Sequence, residues 1–241
     1  NYTTAIHTKF PEYLNKMIFL PVAITYKYLR WYHKKSASVL VNTNSQIKDL
    51  KSKKFQNLKL WSRAIDHLTF YPREKKSANN YLLYVGRVSR EKNLEAFLNL
   101  PTHESKVIVG SGPMLDEYKT KYKDIKFVGP KFGNELAQFY SDASVFVFPS
   151  MTDTYGIVMI EAMACGTPVA AFPVTGPIDV IEPNLNGSVN EDLERAVSQA
   201  KVISSQSCID SVKNLSWDSV TQTFLDTLVH CKSNQEKIVQ A

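Results

Sequence analysis

No stretch of this chain is long and apolar enough to span a bilayer as a helix, which takes about 18 consecutive apolar residues. The nearest candidate, Met17 to Leu29, is shorter and is interrupted by Pro21. A signal-peptide pattern is also missing. Cysteine is scarce: Cys165, Cys208 and Cys231 are odd in number, far apart and form no Cys-x-x-Cys pair. That argues against a disulfide framework or a structural zinc site and makes a reducing cytosol the natural setting. No two aspartates stand one residue apart, so the usual means of holding a divalent ion on a diphosphate is absent. His33, His67, His103 and His230 show no metal-ligand spacing, and no Ser-His-Asp or Cys-His arrangement can be argued from spacing. There is no internal repeat, no low-complexity tract and no initiator Met. The opening Asn1-Tyr2-Thr3-Thr4-Ala5-Ile6-His7 reads as the middle of a strand, so a fragment lacking its N-terminal part is expected.

What is present is an ordinary globular composition: 241 residues, 44% apolar and 22% charged. That length holds one large domain or two small ones. The net charge of +6 suits nucleic acid, an anionic membrane surface or a polyphosphate ligand, and composition alone does not choose among them.

Strand-like and helix-like segments alternate along the chain. Tyr2–Ile6, Val39–Asn42 and Leu58–Trp61 read as strands. Pro11–Lys34 reads as helical with a break at Pro21, and Ser45–Leu50 as helical with Asn44 or Ser45 as its N-cap. The polar stretch 63–80 reads as a linker. Strands at Tyr81–Val85, Lys106–Val109, Ile125–Val128, Val145–Phe148 and Pro168–Phe172 then alternate with helices at Glu91–Leu98, Pro113–Tyr122, Asn134–Ser141 and Ile157–Cys165. Near-continuous apolar strands separated by helices predict an α/β fold with parallel, doubly wound sheets. Beyond Gly187 the pattern turns helical, at Glu191–Ser205 and Trp217–Leu228.

Thr152-Asp153-Thr154-Tyr155-Gly156-Ile157-Val158-Met159-Ile160-Glu161 carries the densest chemical signal. It places Asp153 in a loop after an apolar strand and Glu161 inside the helix that follows, with Gly166 as the helix stop. Free N–H groups at such a helix start suit a phosphate, and Glu161, about one and a half turns further in, could accept hydrogen bonds from a ribose. A buried helix with one satisfied Glu is the plain alternative. Gly86-Arg87-Val88-Ser89-Arg90-Glu91-Lys92-Asn93 follows another strand. Arg87 and Lys92 therefore stand at a carboxyl edge, where open α/β sheets bind ligands. Gly110-Ser111-Gly112-Pro113 lacks the third glycine of a dinucleotide fingerprint and reads as a tight turn, with Pro113 opening the next helix. The segment 11–35 interleaves Tyr13, Phe19, Tyr26, Tyr28, Trp31 and Tyr32 with basic residues. It fits either an interfacial helix on anionic lipid or core packing with snorkelling lysines.

Together these stretches resemble the retaining glycosyltransferases of the GT-B fold, family 4, and most closely the branch that uses a GDP-mannose-type donor to build mannosylated glycolipids. The resemblance rests on His7-Thr8-Lys9-Phe10-Pro11, Trp61 to Asp66, Val85 to Lys92, Val109 to Pro113, Phe148 to Glu161 and the last helix. It implies two Rossmann-like domains with parallel sheets: residues 1–62, acceptor-side and incomplete here, and 81–215, which binds the nucleotide sugar. Residues 216–241 would form a helix and tail. Arg87 and Lys92 would bind the donor diphosphate, Asp153 would contact the sugar hydroxyls, and His7 would orient the sugar. The N–H groups of Ile157 and Val158 would meet the phosphate, and Gly86, Thr154 and Gly156 would also contact the donor. Glu161 would hold the ribose, and the base would lie near Val128 to Lys131. The implied reaction moves a hexose, mannose above all, to a lipid or glycan acceptor. No cofactor, metal or nucleic acid would take part, and the setting would be the cytoplasm or the cytoplasmic membrane face. Departures are Asp153, where most of the broad family has Glu, and Ala64, where a glycine is usual and a positive φ would be strained. A non-catalytic nucleotide-sugar-binding module and a GT-B sugar-nucleotide epimerase are the competing readings.

Overall fold

A computed structural model describes residues 2–8, 10–75, 80–153 and 155–228, apart from the side chains of Tyr13, Lys16 and Met17. Two compact units result: Asn1–Ser62 with Val220–Ala241, and Arg63–Ser219.

The first unit holds a three-stranded parallel sheet, β1 (Thr3–Ile6), β2 (Ser38–Val41) and β3 (Leu58–Leu60), in that order. Helices α1 (Phe10–Ile18) and α2 (Val22–His33) connect β1 to β2, and α3 (Asn44–Ser52) connects β2 to β3. The break between α1 and α2 has the expected cause: Pro21 sits at the N-cap of α2, and Phe19 turns left-handed at φ 57°. The cap of α3 is Thr43 rather than Asn44 or Ser45, because the Thr43 side chain accepts from the Gln46 N–H. Tyr26, Val41, Leu50 and Phe55 form the core. The last helix, α11 (Trp217–Leu225), ends beside this sheet. Trp61 Nε1 donates to the Val220 carbonyl at 3.1 Å, and the Thr3 and Ser38 hydroxyls donate to the Thr227 carbonyl.

The second unit is a six-stranded parallel sheet ordered β6-β5-β4-β7-β8-β9. Its strands are β4 (Tyr81–Val85), β5 (Ser105–Val109), β6 (Lys126–Gly129), β7 (Val145–Phe148), β8 (Val169–Ala171) and β9 (Gly187–Val189). The helices are α4 (Leu94–Leu98), α5 (Leu115–Lys121), α6 (Gly133–Asp142), α7 (Ile157–Ala164), α8 (Pro177–Val180), α9 (Leu193–Ala200) and α10 (Ser205–Val212). Both faces are covered, which is why the strands read as unbroken apolar runs. Leu83, Val85, Val109, Phe146 and Phe148 face one core with α6, α7 and α10. Leu82, Tyr84, Ile108, Val145 and Val147 face the other with α4, α5 and α9.

Several expected boundaries differ. The described part of 63–80 is packed rather than a free linker: Ile65 is buried and donates to the Leu215 carbonyl, and the Arg73 N–H donates to Ser141 Oγ. The described part of the expected 216–241 segment divides between the two units at Val220, and residues 229–241 lie outside the described residues. The helix expected at Glu91–Leu98 is a 3-10 turn, Arg90–Lys92, then α4, because Asn93 is left-handed at φ 52°. Pro113 lies in the turn before α5 rather than opening it. After Gly187 a strand precedes the helices, and the Glu191–Ser205 segment ends as a helix at Ala200. Ala64 is not among the described residues with positive φ, so the glycine usual there is not needed and no strain arises.

Candidate functional site

In the second unit the chain steps outward from β4 through β5 to β6, then crosses back and steps outward through β7, β8 and β9. The order reverses between β4 and β7, and open α/β sheets bind ligands outside the carboxyl ends of their strands at such a point. The two loops singled out in the sequence leave β4 and β7 there.

They are tied together side chain to side chain. Lys92 Nζ donates to both carboxylate oxygens of Asp153, at 2.6 and 2.8 Å, with each side chain about a quarter exposed. Asn93 Nδ2 donates to the Pro149 carbonyl at 3.1 Å, and Thr152 Oγ1 to the Glu91 carbonyl at 3.4 Å. Tyr84 fixes the start of the first loop by donating to the Arg87 carbonyl at 2.8 Å. Ser89 donates to Glu91, and that bond, with the cations of Arg87 and Lys92 nearby, holds the Glu91 carboxyl below its usual range. Arg87 itself is exposed.

Gly86 ends β4, and its N–H donates to the Val109 carbonyl. The turn Gly110-Ser111-Gly112 backs this loop. A Cβ on Gly110 would stand 1.9 Å from the Gly86 carbonyl oxygen, and the Val88 N–H donates to the Ser111 carbonyl at 2.9 Å. The glycine there serves backbone packing.

Helix α7 begins as the sequence suggests. Gly156 is its N-cap at φ 83°, where an added Cβ would meet Met159 and Phe148 at 2.9 and 3.0 Å. Gly156 has no side chain with which to cap the helix and the first turn has no acidic residue, so the Ile157 and Val158 N–H groups stand at the positive dipole end. Glu161 is not a free acceptor: Tyr140 donates to its Oε2 at 3.0 Å, and burial raises its carboxyl above the ordinary range despite that bond. Tyr140, whose own carbonyl accepts from the Thr167 hydroxyl, went unnoticed in the sequence. An aromatic in an amphipathic helix carries no signal of which acid it will meet.

The remaining candidates are dispersed. Val128 is half-buried, with its side chain packed against the core. Lys131 is paired with Glu135 at 2.5 Å. Thr154 lies outside the described residues. His7 belongs to the first unit, where its Nδ1 lies 2.8 Å from Asn42 Oδ1 and its ring lies 5.6 Å from that of Trp61.

Residues 79–203 match the family model described as "Glycosyl transferases group 1". A sulfoquinovosyl transferase of Arabidopsis thaliana is 27% identical over 222 residues, covering 82% of this chain and 44% of that protein. A GDP-mannose-dependent alpha-mannosyltransferase of Corynebacterium glutamicum is 27% identical over 175 residues, covering 68% of this chain and 42% of that protein. The chain thus spans less than half the length of these relatives. Among solved structures, a sucrose-phosphate synthase of Thermosynechococcus elongatus aligns with 100% of this chain and 68% of its own, at TM-score 0.77 and 21% identity. The Anabaena protein HepE in complex with UDP aligns with 93% of this chain and 71% of its own, at TM-score 0.74 and 17% identity. The fold is that of the GT-B glycosyltransferases.

Proposed function

Because this chain belongs to the group 1 glycosyltransferases, we propose that it carries the donor side of an enzyme moving a hexose from a nucleotide-diphosphate sugar to a lipid or glycan acceptor, with retention at the anomeric carbon. The observation that supports this best is the Lys92–Asp153 pair at the reversal of strand order. It puts a cation and a hydroxyl acceptor side by side, where a diphosphate and its sugar would meet.

In this reading Arg87 and Lys92 neutralise the diphosphate as the glycosidic bond breaks. The α7 N–H groups take part of the same charge. Such preorganised donors stabilise a leaving group more than they bind the ground state. Asp153 accepts from sugar hydroxyls while orienting Lys92. Glu161, held by Tyr140, accepts from the ribose. The base lies along the backbone from Val128 to Lys131. For His7 we propose the orienting role that the resemblance implies. Membership of family 4 and a cytoplasmic setting belong to the same proposal, as does a mannosyl donor, which the mannosyltransferase relative supports. Exposed Ile24, Tyr28 and Trp31 beside basic residues of α2 support peripheral contact with an anionic membrane.

The test is nucleoside diphosphate release from UDP-glucose, UDP-galactose and GDP-mannose with lipid and glycan acceptors. Acceptor-dependent release that is lost in Lys92→Ala, and is insensitive to EDTA, is expected. Release that is unchanged in Lys92→Ala would refute the assignment.

A further inference from the structure

In the first unit, α2 and the turn after α3 line an open pocket of about 320 Å³. Lys27 and Arg30 line it from α2, Lys34 from the C-cap position of that helix, and Lys54 from the turn. Trp31 and Phe55 supply apolar wall, and among the described residues no acidic one lines it. Among the described residues none of these four cations has an ion-pair partner. Lys53, beside Lys54 in sequence, lies with its Nζ 2.6 Å from Asp49 and 3.9 Å from Glu12. Arg30 is half-buried and held in place, with Nη1 donating to the Lys53 carbonyl at 3.0 Å. Lys54 is left-handed at φ 63°, a conformation that costs an ordinary side chain. A concave surface lined by charge of one sign concentrates counter-ions, and this volume lies at the small end of ligand pockets.

The pocket is also on the wrong side of the sheet for the chemistry of this unit. His33 and Lys34 precede β2, while Lys54, Phe55 and Gln56 precede β3. His7, Asn42 and Trp61 follow β1, β2 and β3 at the opposite, carboxyl edge. We propose that this amino-edge pocket binds a phosphate-bearing anion, its phosphate among Arg30, Lys34 and Lys54 and its less polar part against Trp31. The site lies in a different unit from Arg87 and Lys92 and uses none of the residues assigned to the donor.

The experiment uses the full chain carrying Arg87→Ala and Lys92→Ala, so that binding of the probe at the donor loops is weakened. Inorganic pyrophosphate is titrated by calorimetry. Vesicles of phosphatidylglycerol in phosphatidylcholine are tested by co-sedimentation, with pure phosphatidylcholine as the blank. Lys34→Gln with Lys54→Asn then removes two charges, since Asn tolerates the left-handed backbone. At least one probe should bind, weaken about tenfold or more in that variant, and weaken with added salt. Pyrophosphate alone would identify a soluble phosphate ligand, and vesicles alone a lipid headgroup. Lys27→Gln with Lys34→Gln gives a second reading should the first variant not fold, as judged by thermal melting. Binding of neither probe, or equal binding with and without the lysine charges, overturns the proposal.

Discussion

Lys92 Nζ, from the loop after β4, holds both oxygens of Asp153, from the loop after β7, at 2.6 and 2.8 Å across the point where strand order reverses. The cation proposed for the diphosphate is therefore already partnered by the acid proposed for the sugar. A phosphate arriving there competes with a carboxylate, so the pair sets donor affinity as well as local stability.

The first prediction follows from that competition. Asp153→Asn should tighten nucleoside diphosphate binding a few-fold, by removing the competing anion, while lowering sugar transfer. Calorimetry alongside turnover checks both. Weaker diphosphate binding would show that Asp153 supports the phosphate site rather than competing with phosphate for Lys92. A double-mutant cycle on stability should give a coupling of about 1–2 kcal/mol, between the ranges for exposed and buried pairs.

Glu161 gives a prediction about pH. Burial raises its folded-state carboxyl pKa above the unfolded value, so the folded protein holds that proton more tightly. Its contribution therefore favours folding at low pH and is lost as pH rises from the ordinary carboxylate range through the raised value. Glu161→Gln, which keeps an acceptor for Tyr140, should remove that part of the pH dependence and raise the melting temperature at neutral pH. Melting curves between pH 4 and pH 8, superimposable for both proteins apart from a constant offset, would contradict it.

Burial pushes the thiols of Cys165 and Cys208 up to about 12, because each thiolate would lose its hydration. Both should resist iodoacetamide at pH 8 in the folded protein and react once it is unfolded in denaturant. Peptide mass mapping of the two states measures this. Rapid labelling of either under native conditions would contradict the packing described.

Strand positions and the helix start at Gly156 were legible in the sequence because they rest on local signals: apolar runs, a glycine and a following helical period. The links between loops were not. Lys92 and Asp153 are 61 positions apart and meet only because the crossover brings β4 beside β7. Tyr140 and Glu161 meet because α6 and α7 share one face of the sheet. Asn93 reads as an ordinary helical residue, yet its left-handed backbone splits that helix and sends its amide to Pro149. The split of the segment after Gly187 was missed for a related reason. The short strand β9 is fixed by pairing with β8 rather than by its own three residues.

The most direct test of the account is calorimetric titration of UDP and of GDP into the full chain and into Arg87→Ala with Lys92→Ala. Charge-assisted hydrogen bonds are each worth roughly 1.5–3 kcal/mol, so the double variant should bind either nucleotide at least about tenfold more weakly, with its fold unchanged by circular dichroism. Equal affinity for the same nucleotide in both proteins would contradict the assignment of the β4–β7 edge as the donor site.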